Sequence, residues 1–308
     1  MPNEPIKHHY VQKAYLKRFS YDSKRVFVLR KEGGSVFASN INDVCSENNF
    51  NTRYDNKNKH DIKVELGFSK IENNYPNQLF RVIPEKLKYP YQNGGVILSK
   101  TEKDALVETV LLQLVRSKTT REYGQSIIDL VYREKLEETR SKFRNTKEVR
   151  KQVSFLERNE EIIKRNALIE SPLLFYSKDY NNNLIRDNLK HRNCIIFVNH
   201  SNEPFVTSDN PVLIGDTRGV IRRIYDYPLI NSDSVVIYPL DPYHMAALMT
   251  PESCDGYKCE FGIIAIYTND DIGKIKSIND AQYQCCLGCV IANSRKALEV
   301  LKKENGAG

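Results

Sequence analysis

The sequence predicts an α+β protein in which a helical middle segment packs with antiparallel sheet and hairpins contributed by both the N-terminal and the C-terminal thirds. Three observations carry this. Near the start, Arg25-Val26-Phe27-Val28-Leu29-Arg30 is a strand-forming run, Glu32-Gly33-Gly34-Ser35 a turn, and Val36-Phe37-Ala38 the partner strand. From 101 to 169, apolar residues recur every three or four positions. After about Asn193 the period shortens again, to β-branched and aromatic runs divided by turn residues. The whole of 1–308 reads as one domain: an N-terminal hairpin and helix over 1–100, a helical middle over 101–192, and mostly strand with a last helix over 193–308.

In order along the chain, 10–19 places Val11, Ala14, Tyr15 and Phe19 at near-helical spacing. The spacing predicts a helix over 61–80, with Ile62, Leu66, Ser69 and Asn73 on one face. Pro84, Pro90 and Asn93-Gly94-Gly95 mark an irregular connector. Thr101 followed by Asp104 resembles a capping box. The helix it opens carries Leu106, Val107, Val110, Leu111, Leu114 and Val115 around much of its circumference, the mark of a buried helix. A second helix, broken or bent near Gly124, carries Ile127, Ile128, Leu130, Val131 and Leu136. A third runs over 149–169 and stops near Ser171-Pro172. Cys194-Ile195-Ile196-Phe197-Val198 reads as a strand, His200 to Glu203 as its turn, and Phe205-Val206-Thr207 as the returning strand. Further strands are expected over 235–240, 245–249 and 262–266. Ser277 with Asp280 is the expected cap of a helix through the cysteines, and 294–303 a last amphipathic helix.

Composition narrows the function. Of 308 residues, 40% are hydrophobic and 28% charged, which fits a globular chain and excludes disorder. No apolar run reaches the roughly 18 residues of a membrane span, and the opening residues lack a basic-then-apolar leader, so a cytoplasmic protein with no membrane partner is expected. Seven cysteines in such a chain read as reduced thiols. The spacing of Cys254, Cys259, Cys285, Cys286 and Cys289 raises a zinc site, but adjacent cysteines in an apolar helix-like stretch favour structural thiols. The formal charge of +7 suits an anionic partner without requiring one. The basic stretch over 133–165 is interleaved with glutamates, as on a solvated helix surface, with a nucleic-acid stripe as the alternative. A phosphate-cradling loop, a dinucleotide glycine fingerprint, a Gly-x-Ser-x-Gly elbow and a His-Glu-x-x-His pair are all missing from the sequence.

The residues able to do chemistry are few. His8 and His9 are adjacent, and on a strand they point to opposite faces, so only one can enter a given site. Glu65 and Glu72, seven apart on a helix, lie nearly in line. Arg116, one turn after Gln113 in an apolar helix, requires a carboxylate or phosphate partner, and an ion pair with one of the acids is the structural alternative. Thr207-Ser208-Asp209-Asn210-Pro211 interrupts an apolar strand with four polar side chains. It reads either as a turn satisfying its own backbone or as a carboxylate presented to a cleft.

Lys7-His8-His9-Tyr10-Val11-Gln12 and the run that follows to Phe19 resemble the opening motif of the domain of unknown function 4238 family, His-His-Tyr-Val-Pro. Phe205-Val206-Thr207-Ser208-Asp209-Asn210-Pro211 resembles its second hallmark. The segments around Glu65 and Glu72, Leu114-Val115-Arg116 and Tyr238-Pro239-Leu240-Asp241-Pro242 fall where comparable family segments do, and Gln12 departs from the usual proline. The resemblance implies that His8, His9 and Asp209 are hallmarks of a polar site assembled from both ends of the chain.

Two readings follow. In the first, a metal-dependent nuclease or other phosphodiester hydrolase uses His8, His9, Asp209 and Arg116 in catalysis. His9, Glu65, Glu72 and Asp209 then hold Mg²⁺ or Mn²⁺. In the second, a non-enzymatic module binds protein or nucleic acid through its basic helices or exposed aromatics, and the His and Asp motifs are framework. The discriminator is whether those side chains share one solvent-reachable cleft.

Overall fold

The computed structural model describes residues 6–55, 57, 59–74, 98–142, 146–174, 184–223, 229, 231–254 and 262–306. The end of the helix expected over 61–80, the connector around Pro84, Pro90 and Asn93-Gly94-Gly95, and Cys259 lie outside them.

The N-terminal hairpin forms as expected: β2 (Arg25–Arg30) pairs antiparallel with β3 (Val36–Asn40), Phe27 opposite Ala38. It does not close on itself. Strand β14 (Cys289–Ala292) adds to the free edge of β2, and β8 (Thr207–Ser208) adds to β14, giving a four-stranded sheet β3-β2-β14-β8 built from both ends of the chain. A second sheet, in the order β10-β9-β11-β12-β7-β13, comes wholly from the C-terminal third. It comprises β7 (Asn193–Asn199), β9 (Leu213–Asp216), β10 (Ile221–Arg223), β11 (Ser234–Asp241), β12 (His244–Met249) and β13 (Ile263–Tyr267). All its pairs are antiparallel except β13 with β7. Two short ribbons complete the strands: β1 (Lys7–His9) with β4 (Ser46–Asn48), and β5 (Arg53–Tyr54) with β6 (His60–Asp61). The expected hairpin between 194–198 and 205–207 is corrected here. Strand β7 takes β12 and β13 as neighbours, while Thr207 crosses to the other sheet.

Among the helices, α1 (Lys13–Leu16) leads into a 3₁₀ turn at Lys17–Phe19, and α2 (Lys63–Asn74) carries Glu65 and Glu72. Helix α3 (Lys100–Arg116) is the central one, buried from Ala105 onwards, its apolar side chains inside a core shared with α1, α2 and the large sheet. Its capping box is Ser99 with Glu102, two residues before the expected pair: the Ser99 hydroxyl accepts from the Glu102 amide and the Glu102 carboxylate accepts from the Ser99 amide.

Helix α4 (Lys118–Lys142) runs through Gly124 without ending. A Cβ at Gly124 would sit 2.9 Å from Leu168 Cδ1, so the glycine serves close helix approach rather than a break. The helix expected over 149–169 is two, α5 (Lys147–Arg158) and α6 (Glu160–Leu174), divided at Asn159. Pro172 lies inside α6, and the Ser171 hydroxyl donates to the Leu168 carbonyl that Pro172 leaves without its amide donor. After α7 (Leu184–Lys190), α8 (Ile272–Cys285) starts earlier than expected, behind a Thr268–Asp271 capping box, and Ser277 and Asp280 are interior. The last helix forms as expected: α9 (Arg295–Glu304) has Ser294 as N-cap and packs Leu298 and Leu301 against Leu29 and Val290. Among the described residues, no helix is long and apolar enough to cross a membrane.

Candidate functional site

The opening motif is threaded along the buried helix α3. Gln113 accepts from the Gln12 amide (3.3 Å) and donates to the Tyr10 carbonyl (3.1 Å), and Arg116 Nε donates to the His9 carbonyl at 2.5 Å. The Gln113/Arg116 spacing of one turn thus holds the backbone of the motif in place. Strand β1 sends the two histidines to different surroundings, as alternation requires. His8 is fully buried, its Nδ1 accepting from the Asn51 amide at 2.9 Å and lying 4.0 Å from Glu65. His9 is partly buried and its Nε2 donates to the Ile41 carbonyl at 3.0 Å. Burial, with Arg116 and Lys13 nearby, holds the His9 pKa below its usual value despite that bond.

Glu65 and Glu72 do converge, and what they converge on is Arg116. Its guanidinium pairs with Glu72 and stands 3.7 Å from Glu65, with the Phe68 ring beneath it. Glu65 also accepts from the Asn51 side chain at 2.6 Å. Arg121, not singled out in the sequence, closes the cluster: it donates to the Phe50 carbonyl and the Asn51 side chain and lies over the Phe50 ring. Burial, with the charges of Arg116 and Arg165 adding, lowers its pKa to about 9. Nothing local in the sequence marks Arg121 or Asn51, because their roles depend on loop 49–52 folding back against α4.

Asp209 is engaged elsewhere. Its carboxylate accepts three backbone amides, those of Leu287 (2.8 Å), Gly288 (2.6 Å) and Cys289 (3.1 Å), and its own amide donates to the Cys289 carbonyl. Gly288 lies close against it: a Cβ would stand 3.3 Å from the Asp209 oxygen, so the carboxylate would have to give by a few tenths of an ångström. Burial raises the Asp209 pKa, and the three amides only partly offset it.

The neighbouring polar residues do the same kind of work. The Ser208 hydroxyl donates to Gln282 on α8, Asn210 donates to the Cys285 carbonyl, and Thr207 donates to the Tyr15 hydroxyl, which itself donates to the Pro239 carbonyl. The motif therefore satisfies the backbone and side chains of other segments more than its own. A third clasp was not anticipated. Asp241 accepts from His244 Nδ1 (2.8 Å) and from Arg18 (2.8 Å), and although burial pushes its pKa up, these donors and the Tyr243 amide together bring it below the usual value. A carboxylate three residues before a histidine, across a turn, was the available signal.

The four residues assigned to metal ligation are thus divided. Glu65 and Glu72 share Arg116, His9 faces a carbonyl, and Asp209 is filled by amides. Among the described residues, no three His, Cys, Asp or Glu side chains gather where an ion could be held.

Two concave regions stand out among the described residues. One, about 830 Å³, lies between the two hallmark segments, with Tyr10, Cys45, Lys118, Asp209 and Cys289 in its wall. The other, about 690 Å³, is a groove between the β5–β6 ribbon, the start of α2 and the α5–α6 junction. Asn166 fixes its floor, accepting from the Tyr54 amide and donating to the Tyr54 carbonyl. The Tyr54 and His60 rings meet edge to face at 4.9 Å, Arg165 covers Tyr54, and Phe155 stands 49% exposed on the opposite wall. Lys59 and Lys63 are exposed along the rim. Two-residue strands are too short to leave a periodic trace, so this groove was not visible in the sequence.

The fold and its polar clasps define an α+β protein whose N-terminal motif is laced onto one buried helix and whose Asp209 motif is clasped to the turn before the last strand. The chain belongs to the family described as Protein of unknown function (DUF4238), whose model matches residues 7–296. No curated protein and no solved structure matches it.

Proposed function

We propose that this chain is a non-enzymatic binding module for single-stranded nucleic acid, seated in the groove between the β5–β6 ribbon, α2 and the α5–α6 junction. The observation that carries the reading is that rings and cations share that groove: exposed His60 and Phe155 rings and the exposed Lys59 and Lys63 ammonium groups, set beside the Asp55 and Asp61 carboxylates, with the Asn159 amide, around one 690 Å³ hollow. Rings accept bases by stacking, cations follow the phosphates, and an amide reads a base edge. The net charge of +7 works in the same direction. The internal engagement of His8, His9, Glu72, Arg116 and Asp209 supports a framework role for the hallmark motifs.

The test is fluorescence anisotropy with short labelled single-stranded RNA and DNA, in the presence of Mg²⁺, Mn²⁺ or a chelator, with the probes then run on a denaturing gel. The expected result is salt-sensitive binding of intact probes, weakened roughly tenfold by Lys59→Glu with Lys63→Glu and also by Phe155→Ala. Binding unchanged by these substitutions would overturn the assignment of the groove. Metal-dependent cutting of the probes would overturn the non-enzymatic reading.

A further inference from the structure

We propose that the groove selects bases carrying an exocyclic amino group, cytosine and adenine foremost, over uracil and thymine, and that Asn159 Oδ1 is the atom that reads them. The inference rests on the nucleic-acid reading above and names the class of base that site takes. Two asparagines line the groove, and their amides are committed differently. Asn166 spends both ends on the backbone of one residue: its Oδ1 accepts from the Tyr54 amide at 3.1 Å and its Nδ2 donates to the Tyr54 carbonyl at 2.7 Å. Asn159 spends one end only, its Nδ2 donating to the Phe155 carbonyl at 2.8 Å. A carbonyl can only accept, so the NH₂ is the end that faces it, and the orientation of the amide is set. Among the described residues no group donates to Asn159 Oδ1, and that oxygen is the end offered to a base.

Ring and acceptor are built as a unit. Phe155 and Asn159 lie one helical turn apart at the end of α5, a spacing that puts β-carbons about 5–6 Å apart on one face. The bond from the Asn159 amide ends on the carbonyl of the very residue whose ring stands 49% exposed in the groove. A base stacked on Phe155 therefore brings its edge to Asn159 Oδ1. The nearby carboxylates act in the same direction. Asp61 uses one oxygen on the Lys63 amide, at 2.9 Å, and the other on Arg53. Asp55 uses Oδ1 on the amides of Lys57 and Lys59, 2.8 Å each, and its Oδ2 is again an acceptor. The cationic donors, Lys59 and Lys63, stand exposed on the rim, where phosphates run. Cytosine N4 and adenine N6 present N–H donors to such an acceptor. Uracil and thymine present a carbonyl oxygen at the matching position, and their one donor, N3–H, is flanked by two such oxygens. Two acceptors then face each other, and both lose water without gaining a bond.

The test measures fluorescence anisotropy of the full chain with labelled single-stranded oligomers of deoxycytidine, deoxyuridine and N4,N4-dimethyldeoxycytidine, equal in length, at neutral pH and one salt concentration. The first two share sugar and ring and differ in the donor they present; the third keeps the exocyclic nitrogen and loses its hydrogens. The expected result is binding of the deoxycytidine oligomer roughly three- to tenfold tighter than of either other, the ratio that one added hydrogen bond gives. Asn159→Leu should bring the deoxycytidine and deoxyuridine oligomers to nearly equal affinity. Because the primary readout is the wild-type comparison, poor folding of the variant leaves it intact. Equal binding of the deoxycytidine and deoxyuridine oligomers by wild type, or a preference that survives dimethylation, would overturn the base selection while the groove assignment stands. Binding of none of the three would overturn the groove assignment, and the base selection with it.

Discussion

Asp209→Ala separates a framework carboxylate from a catalytic one by stability alone. The side chain receives three backbone amides from the loop 287–289, at 2.6 to 3.1 Å. A hydrogen bond to an ionised acceptor contributes about 1.5–3 kcal/mol net, and a buried donor left alone costs about 1–3 kcal/mol. Desolvation of the carboxylate, visible in its raised pKa, takes back part of this. Alanine strands all three amides at the turn that sends the chain into β14, so the expected cost is about 3–5 kcal/mol. With an unfolding entropy of about 2 cal/mol/K per residue, that corresponds to a thermal midpoint lower by roughly 5–8 °C. Asparagine keeps the shape but turns an amide NH₂ toward at least one of the same donors, so Asp209→Asn should fall between alanine and wild type. The assay is calorimetry or thermal circular dichroism at neutral pH. A midpoint for Asp209→Ala within about a degree of wild type would refute the argument, and would return Asp209 to the set of candidate catalytic groups.

Three further outcomes are expected. Arg116→Met removes the cation shared by Glu65, Glu72 and the His9 carbonyl, leaving carboxylates in a mostly buried site; a loss of about 3–5 kcal/mol in urea denaturation is expected, much of it recovered by Arg116→Lys. His9 has a folded-state pKa below 6.5, so as pH falls through 6.5 the unfolded chain binds a proton that the folded chain resists, and stability declines. Thermal midpoints at pH 7.5 and 5.5 should therefore drop further in wild type than in His9→Gln, which keeps a donor for Ile41 but does not titrate. Gln12 is fully buried with neither side-chain amide atom hydrogen-bonded, at a φ of −55° that proline shares. Gln12→Pro should raise stability by about 1 kcal/mol, the loss of the long bond to Gln113 being outweighed by removal of two unpaired polar groups and a stiffer unfolded chain. A fall in denaturation midpoint would show that the pyrrolidine ring does not fit there.

The parts of the fold that were legible in the sequence are those encoded locally. The buried helix α3, the β2–β3 hairpin and the terminal helix α9 each carry their own period and their own cap or turn. The parts that were not legible depend on partners far along the chain. Phe205-Val206-Thr207 has strand-forming residues and a turn before it, which is all that a local reading of a hairpin requires. Yet Thr207 pairs with Ile291, more than eighty residues on, because β14 offers an edge that β7 has already given to β12 and β13. Gly124 misleads for a related reason: within its own helix a glycine weakens the helix, and only the approach of Leu168 from α6 shows that a larger side chain there would have to displace the leucine's end.

The candidate site divides along the same line. That Glu65 and Glu72 act together follows from helical geometry, and that Arg116 needs an acid follows from the cost of burying a guanidinium; each could be read without coordinates. Neither consideration says whether the acids meet a metal or the arginine, since both satisfy the same electrostatic need. The decision comes from α3 passing close enough to α2 for Arg116 to pair with Glu72 and stand 3.7 Å from Glu65 while its Nε holds the His9 carbonyl. Asp209 is the stronger case. A carboxylate at a strand end looks alike in sequence whether it faces solvent, substrate or a loop of amides, and the loop lies 78 to 80 residues away in the chain. Clasps of this length join segments that lie far apart in the chain. Each fixes a segment whose partner is synthesised far from it, and together they flank the sheet in which β2 and the last strand, β14, are neighbours.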